Sequence, residues 1–183
     1  MCWAGESAVT VCIPDVPVER LYAGFADVSR MPEWSPLLES VTVDANSPRR
    51  SVWVMKVPRT LNYAARMLGY PSTLGWTAEL DAPGPPLMTW TSVLDDNGQL
   101  KGLEGAAFEP SGSVKFEERE PNVTDMELRL CYALPEPTAA WMITLIQSPP
   151  VQFVLKARMA AGCKRFSKIM HREWKGSLAN ETT

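Results

Sequence analysis

The side chains that could carry out catalysis are few. Histidine occurs once, as His171, and the four cysteines at positions 2, 12, 131 and 163 include no C-x-x-C pair. A Ser-His-Asp triad and a zinc site both need more than this chain offers at a suitable spacing. Carboxylates such as Glu79 and Asp125 could act as acids or bases, but alternation puts Glu79 on the outward face of its strand. The sequence therefore predicts no catalytic residue and no metal site, and His171 is expected at the surface.

Cofactor and nucleic-acid functions have no support either. The chain has no G-x-x-x-x-G-K-[ST] or G-x-G-x-x-G motif, so no nucleotide cofactor is predicted. A net charge of −3 argues against general nucleic-acid binding. No window of ~18 apolar residues and no signal-like start occur, so we expect an intracellular protein with reduced cysteines.

The elements that must position a site follow from hydrophobic periodicity. At 183 residues the chain fits one domain. Asp15 is a predicted N-cap with Pro17 just inside a first helix, and a short helical turn is expected at 36–39. Alternation and turn residues predict seven strands, at 8–13, 41–43, 51–57, 74–80, 87–94, 113–118 and 125–134.

A helical period returns near the end of the chain, first at 139–146 and then from Pro150 to about Trp174. The second helix has one apolar stripe that includes Leu155, Met159 and Phe166. Its other faces are basic, since seven Lys and Arg but only two Glu lie between 151 and 183.

Several short sequence words occur in order on these elements, namely Met31-Pro32-Glu33-Trp34-Ser35-Pro36, Ser51-Val52-Trp53, Trp76-Thr77-Ala78-Glu79, Trp90-Thr91-Ser92 and Gly112-Ser113-Val114-Lys115-Phe116. Together they resemble the polyketide cyclase/dehydrase and coenzyme-Q-binding START-like (SRPBCC) family, in particular its cyanobacterial and plastid branch. The resemblance spans residues 8 to about 172. It implies one START-like domain over 8–174, with residues 1–7 and 175–183 as tails.

The fold implied by the resemblance is an α+β helix-grip fold, in which a curved antiparallel sheet of six to seven strands encloses an apolar cavity against the long C-terminal helix. Alternation is compatible with such a lining. The expected ligand-binding residues are Trp53, Met55, Trp76, Trp90, Phe116, Met126, Leu128, Leu130, Tyr132, Leu155 and Met159. The alternative is that these side chains pack as a solid core, which is the usual role of Met and aromatic stripes.

Two surface features extend this prediction. The loop from 58 to 73 carries too many apolar residues for a solvated loop and is interpreted as a lid, formed by Leu61, Tyr63, Met67 and Leu68. The basic helix predicts contact with an anionic membrane or an acidic protein through Lys164, Arg165, Lys168 and Arg172, although a basic face is also commonly just solvated.

The sequence thus favours a protein that binds or transports a lipid, quinone, isoprenoid or pigment without chemistry and without a cofactor. A cyclase/aromatase-like enzyme is the second hypothesis, and an interaction subunit of a larger complex is the third. The resemblance allows a chloroplast location; otherwise the cytoplasm is expected.

Overall fold

The computed structural model describes residues 3–56, 73–93, 109–134, 144 and 147–181. Within these residues the elements are β1 (Trp3–Pro14), α1 (Val18–Ala26), a 3-10 turn (Val28–Arg30), α2 (Met31–Trp34), β2 (Leu38–Asp44), β3 (Ser47–Lys56), β4 (Thr73–Asp81), β5 (Leu87–Ser92), β6 (Glu109–Glu120), β7 (Val123–Leu134) and α3 (Pro149–Glu181).

All seven strands form one antiparallel sheet in the order β1-β7-β6-β5-β4-β3-β2. The first and last strands in the chain are neighbours, and β1 and β2 lie at opposite edges. The segment that contains α1 and α2 therefore crosses the sheet to connect its two edges. Irregular register in the β2–β3 and β6–β7 pairs is the feature that bends and twists strands locally.

One face of the sheet carries the core. Alternate residues of β3 to β7 are buried on this face, as the period of two predicts; they include Trp53, Trp76, Met88, Val114 and Met126, each at most 4% exposed. The predicted alternation is confirmed for these strands. Helix α1 covers part of this face with Leu21, Tyr22 and Phe25, which lie on one side of the helix at helical spacing.

Helix α3 packs along the same face with its middle and second half. Met159, Cys163, Phe166 and Met170 are buried and recur at helical spacing. Gly162 lies where α3 passes the end of α2, and a Cβ there would be 3.2 Å from Pro36 Cδ. A side chain at Gly162 would therefore require Pro36 to shift by a few tenths of an ångström. None of the helices in the described part of the chain is both long and apolar enough to cross a membrane.

Some local expectations were wrong. Pro17, not Asp15, is the N-cap of α1, and it makes no side-chain cap. Asp15 has a left-handed backbone (φ 60°), and its N–H donates to the carbonyl of Asn122 in the β6–β7 turn. The short helix lies at Met31–Trp34, not at 36–39, because β2 already begins at Leu38.

Most of the strands and the last helix extend beyond the ranges that their patterns predict, whereas β5 ends at Ser92, before the predicted end at 94. Residues 3–7 belong to β1 and residues 175–181 belong to α3, whereas both stretches were expected in tails. Ladder hydrogen bonds to β7 extend β1 past the point where its apolar pattern starts. The predicted helix at 139–146 lies outside the described residues except for position 144.

Candidate functional site

Two adjoining cavities lie between the sheet and the helices. The first, here called the tryptophan cavity, has a volume of about 70 Å³. Its walls come from α1, α2, the link to β2, five strands and α3, and Ser35 is its one hydroxyl residue among the described residues. The lining residues are Phe25, Met31, Trp34, Ser35, Leu37, Leu38, Trp53, Met55, Trp76, Trp90, Leu128, Leu130 and Met159.

The second cavity, here called the tyrosine cavity, has a volume of about 160 Å³ and lies under the first turns of α3. It is lined by Met55, Trp76, Pro110, Leu130, Tyr132, Val151, Gln152 and Leu155. Met55, Trp76 and Leu130 line both cavities, so the cavities adjoin at these three residues. A cavity of about 150 Å³ can hold one benzene molecule, and the two cavities joined would give room for a larger ligand.

Aromatic rings in contact form a continuous row beside the tryptophan cavity. Phe25 lies between Trp34 and Trp90, with ring centroids 5.1 Å and 6.3 Å away. Trp53 stacks on Trp90 at 5.8 Å and contacts Trp76 at 5.9 Å. Trp53 and Trp76 face each other directly across the β3–β4 pair. Contacts of this kind fix the ring orientations and therefore the shape of the wall.

Gly112 on β6 makes the position of Trp90 possible. The two residues are paired across β5 and β6, and a Cβ on Gly112 would lie only 2.2 Å from Trp90 Cζ2 and 2.5 Å from the carbonyl oxygen of Arg129. No other residue type leaves that space. The indole of Trp90 therefore lies against bare backbone.

Polar side chains beside the cavities include two hydrogen-bonded sets. In the first, Trp53 Nε1–H donates to Ser51 Oγ at 2.6 Å, and both residues are buried. In the second, Ser7 donates to Gln152 at 2.8 Å, and the Gln152 amide donates to the Tyr132 hydroxyl at 2.7 Å. The second set joins β1, β7 and the start of α3 beside the tyrosine cavity.

Three further indole groups are buried without a hydrogen-bond partner among the described residues. They are the Nε1–H groups of Trp34, Trp76 and Trp90. All three residues line the tryptophan cavity, and each is 4–5% exposed.

Most of the residues expected to bind a ligand lie in the cavity walls. Their role in binding stays a prediction. They are Trp53, Met55, Trp76, Trp90, Leu128, Leu130, Tyr132, Leu155 and Met159. Phe116 and Met126 line neither cavity. They face each other across β6 and β7 and are at most 1% exposed, and Phe116 packs against Tyr22 and Phe25 instead. In the structure these two side chains pack in the core, and their binding role stays a prediction.

The segment that crosses the sheet makes a contribution to the cavity wall that its sequence did not predict. Phe25, Met31, Trp34, Ser35, Leu37 and Leu38 all line the tryptophan cavity. The sequence word Met31-Pro32-Glu33-Trp34-Ser35-Pro36 was a signal for this segment, but it carries no strand alternation that would assign its side chains to a face.

The remaining predicted site residues belong to the lid and to the basic face of the last helix. The predicted lid residues Leu61, Tyr63, Met67 and Leu68 fall outside the described residues. Lys164, Arg165, Lys168 and Arg172 are exposed on α3, and His171 is half-buried there. Glu173 pairs with Arg30 through contacts of 2.6 Å and 3.4 Å, and this carboxylate raises the pKa of Arg30.

Ionisable groups are scarce around the described cavity walls. No Asp, Glu, His, Lys or Arg of the described residues lines either cavity, and no cluster of metal ligands occurs among them. Burial raises the pKa of the Cys163 thiol to about 12, so this side chain stays neutral and unreactive. Glu79 lies on the outer face in a half-exposed pair with Arg50.

Comparison with known proteins connects this geometry to a family. Residues 14–132 match the family described as "Polyketide cyclase / dehydrase and lipid transport". A protein of Thermus thermophilus is similar in structure, with 18% identity and a TM-score of 0.64, covering 92% of this chain and 99% of that chain. The Zhui aromatase/cyclase of a Streptomyces species has 15% identity and a TM-score of 0.60, covering 93% of this chain and 95% of that chain.

A START superfamily protein of Mycobacterium smegmatis is also similar, with 12% identity and a TM-score of 0.53, covering 91% of this chain and 95% of that chain. At these identities the likeness establishes the fold, which is the START/Bet v 1 helix-grip fold predicted from the sequence. No curated protein matches the chain.

Proposed function

This chain belongs to the polyketide cyclase/dehydrase and lipid transport family, and from that premise we propose that it binds an apolar small molecule and carries or presents it without chemistry. The observation that supports the proposal best is the pair of adjoining cavities. Their described walls are almost wholly apolar and come from both the sheet and the helices. Small-molecule sites are generally built this way, with few polar groups that orient the ligand.

The proposed ligand class is a lipid, quinone, isoprenoid or pigment. These molecules share a hydrocarbon or ring framework that an apolar wall binds by removing it from water. A quinone of the coenzyme Q type and a plastid location remain finer proposals, which rest on the sequence words that resemble that branch of the family.

A cyclase/aromatase-like enzyme is the competing function, because the family description includes cyclases and dehydrases. General acid–base catalysis requires a positioned proton donor or acceptor at the reacting group. Among the described lining residues Tyr132 is the one side chain of that kind, and its hydroxyl accepts a hydrogen bond from Gln152. The enzyme hypothesis therefore predicts that Tyr132→Phe abolishes turnover, whereas the carrier hypothesis predicts normal ligand binding by that variant.

Contact with an anionic membrane is a second element of the proposal. The described basic residues of α3 are exposed, and Glu173, one of its two acidic residues, is already paired with Arg30. Phe153 is 74% exposed in the first turns of the same helix, beside Gln152 in the wall of the tyrosine cavity. Basic charge and an exposed aromatic side chain together suit a lipid surface.

The ligand proposal is tested with the full chain purified from its own source. We expect native mass spectrometry to detect a bound species of a few hundred daltons, and organic extraction to release an apolar compound. Rebinding of that compound, unchanged after incubation, would support the carrier. Its conversion to a product would support the enzyme. Stable comigration with a larger complex and no ligand would support the third hypothesis, an interaction subunit.

A further inference from the structure

The walls of the tryptophan cavity are apolar, but some of its indole rings also carry a buried N–H group that can donate a hydrogen bond. Trp34, Trp76 and Trp90 come from three separate elements and line the same cavity. In each, Nε1 is buried and has no acceptor among the described residues. Buried polar groups in folded proteins nearly always have a partner, so three exceptions around one cavity require an explanation.

Leaving a buried donor unpaired destabilises the folded state, because the N–H group loses its hydrogen bond to water and gains none. The fold can provide a hydrogen-bond acceptor for an indole N–H group on this wall. Trp53, in the same aromatic row, donates to Ser51 Oγ. The three unpaired groups are therefore not a general consequence of placing tryptophan on this wall, and Trp53 serves as an internal comparison.

We propose that Trp34, Trp76 and Trp90 are hydrogen-bond donors to the ligand, and that the ligand is an apolar molecule with carbonyl-type acceptor oxygens, such as a ketone, quinone or ester. An indole N–H donates and cannot accept, so these groups select acceptors. A ligand whose polar groups are mainly donors would leave both sides unpaired, which disfavours binding. This inference rests on the proposed function, since it requires a ligand in the cavity.

The structure also indicates how a ligand reaches these groups. Each Nε1 has almost no accessible surface, so neighbouring side chains must shift first. Met55 and Leu130 are half-buried and line both cavities. Rotation of the flexible Met55 side chain would merge the cavities along Trp76, which borders both.

The test uses acetophenone and ethylbenzene, two probes of nearly equal size that differ by a carbonyl in place of a methylene. A carbonyl that enters a cavity without a donor binds about tenfold or more weakly than its hydrocarbon counterpart, because it loses its hydrogen bonds to water. If the indoles donate to it, that loss is offset. We expect the Kd of acetophenone for the full chain to equal or fall below that of ethylbenzene.

Substitution of tryptophan by phenylalanine distinguishes the loss of the N–H donor from the loss of ring volume. Trp76→Phe and Trp90→Phe should weaken acetophenone binding about tenfold more than ethylbenzene binding, since only the ketone loses a partner. The matched control is the Ser51→Ala, Trp53→Phe double variant, which removes an already paired donor with its acceptor. It should change the two Kd values by the same factor.

A spectroscopic measurement on the unmutated protein keeps the test independent of variant folding. In ¹H–¹⁵N spectra, indole Hε1 resonances of the cavity tryptophans should move downfield when acetophenone is added, but not when ethylbenzene is added. Acetophenone that binds at least tenfold more weakly than ethylbenzene, with no downfield shift, would overturn this inference and leave cavity binding intact. Failure of both probes to bind would contradict the proposed function and this inference with it.

Discussion

Leu130 lines both cavities, so bulk added there enters open space. We expect Leu130→Trp to fold with little change in stability and to lose most of its capacity for the copurifying ligand. Ligand content by organic extraction and melting temperature, measured on the same sample, check this. Normal occupancy with a melting temperature lowered by several degrees would mean that the site is packed core.

Met126 provides the matched control for Leu130 on the same face of β7. It is fully buried and lines neither cavity. Met126→Trp therefore has no space to enter and should lower the free energy of unfolding by about 1–3 kcal/mol through overpacking. Urea denaturation of the two variants side by side distinguishes cavity from core.

Gly112 is a second position where a small change has a defined consequence. Gly112→Ala should push the Trp90 ring toward the cavity, since the added carbon meets both that ring and the backbone of Arg129. We expect a loss of about 1–3 kcal/mol in unfolding free energy and an altered near-ultraviolet circular dichroism spectrum. The control is Gly176→Ala on α3, where a Cβ meets nothing within 4 Å, and a gain of about 0.5–1 kcal/mol is expected.

Cys163 links stability to alkaline pH. Its pKa is raised from 9.0 to about 12 by burial, so the unfolded chain releases this proton before the folded protein does. The stabilisation is complete below pH 9 and is lost as the pH rises toward 12. The unfolding free energy of the wild type should therefore fall more steeply between pH 9 and 11 than that of Cys163→Ala, as urea titrations at each pH would measure. Parallel curves would contradict the raised pKa of Cys163.

At the scale of elements, sequence periodicity predicted the sheet well because the strands bury one face. A one-residue register error in β7 would place Glu127 and Arg129 in the core, so the alternation of Met126 and Leu128 specifies both strand and face. The start of α1 was not predictable in the same way. Asp15 is a preferred cap residue, yet a tertiary hydrogen bond to Asn122 holds it outside the helix.

The basic face of helix α3 is predicted to bind anionic membranes. Changing Lys164, Arg165 and Lys168 to Glu should leave the fold and ligand binding nearly intact, because exposed charges usually alter stability by less than about 0.5 kcal/mol each. The same change should abolish binding to phosphatidylserine vesicles in a sedimentation assay. Wild-type binding should weaken as salt rises, since exposed charges are screened.

Phe166→Ala on the same helix is the opposite control. Phe166 is 1% exposed and contacts Phe25 and Trp34, so its removal should lower stability by about 3–5 kcal/mol without changing the basic surface. Vesicle binding that persists in the triple Glu variant, or that is insensitive to salt in the wild type, would reduce the basic face to a solvated surface.

For the whole molecule, the cavity-lining residues on the strands were easier to predict from the sequence than those on the helices. Residues such as Trp53, Trp76 and Leu130 could be assigned to the inner face because each lies on a strand of known alternation. Phe25 and Trp34 could not, because their position depends on how the segment between β1 and β2 crosses the sheet. The split between cavity and core along β7, with Leu130 in one and Met126 in the other, also depends on which helix lies opposite.

Helix α3 is tied to the rest of the protein at both ends. Near its C-terminal end, Arg30 pairs with Glu173 and Arg20 lies over the Trp174 ring at 5.4 Å. In its first turns, Gln152 is hydrogen-bonded to Ser7 and to Tyr132 beside the tyrosine cavity. Because both ends of the 33-residue helix are held, widening the tyrosine cavity would require these hydrogen bonds of Gln152 to break first. They would then act as a latch, which sets how fast a ligand enters and leaves the cavity more than how tightly it binds.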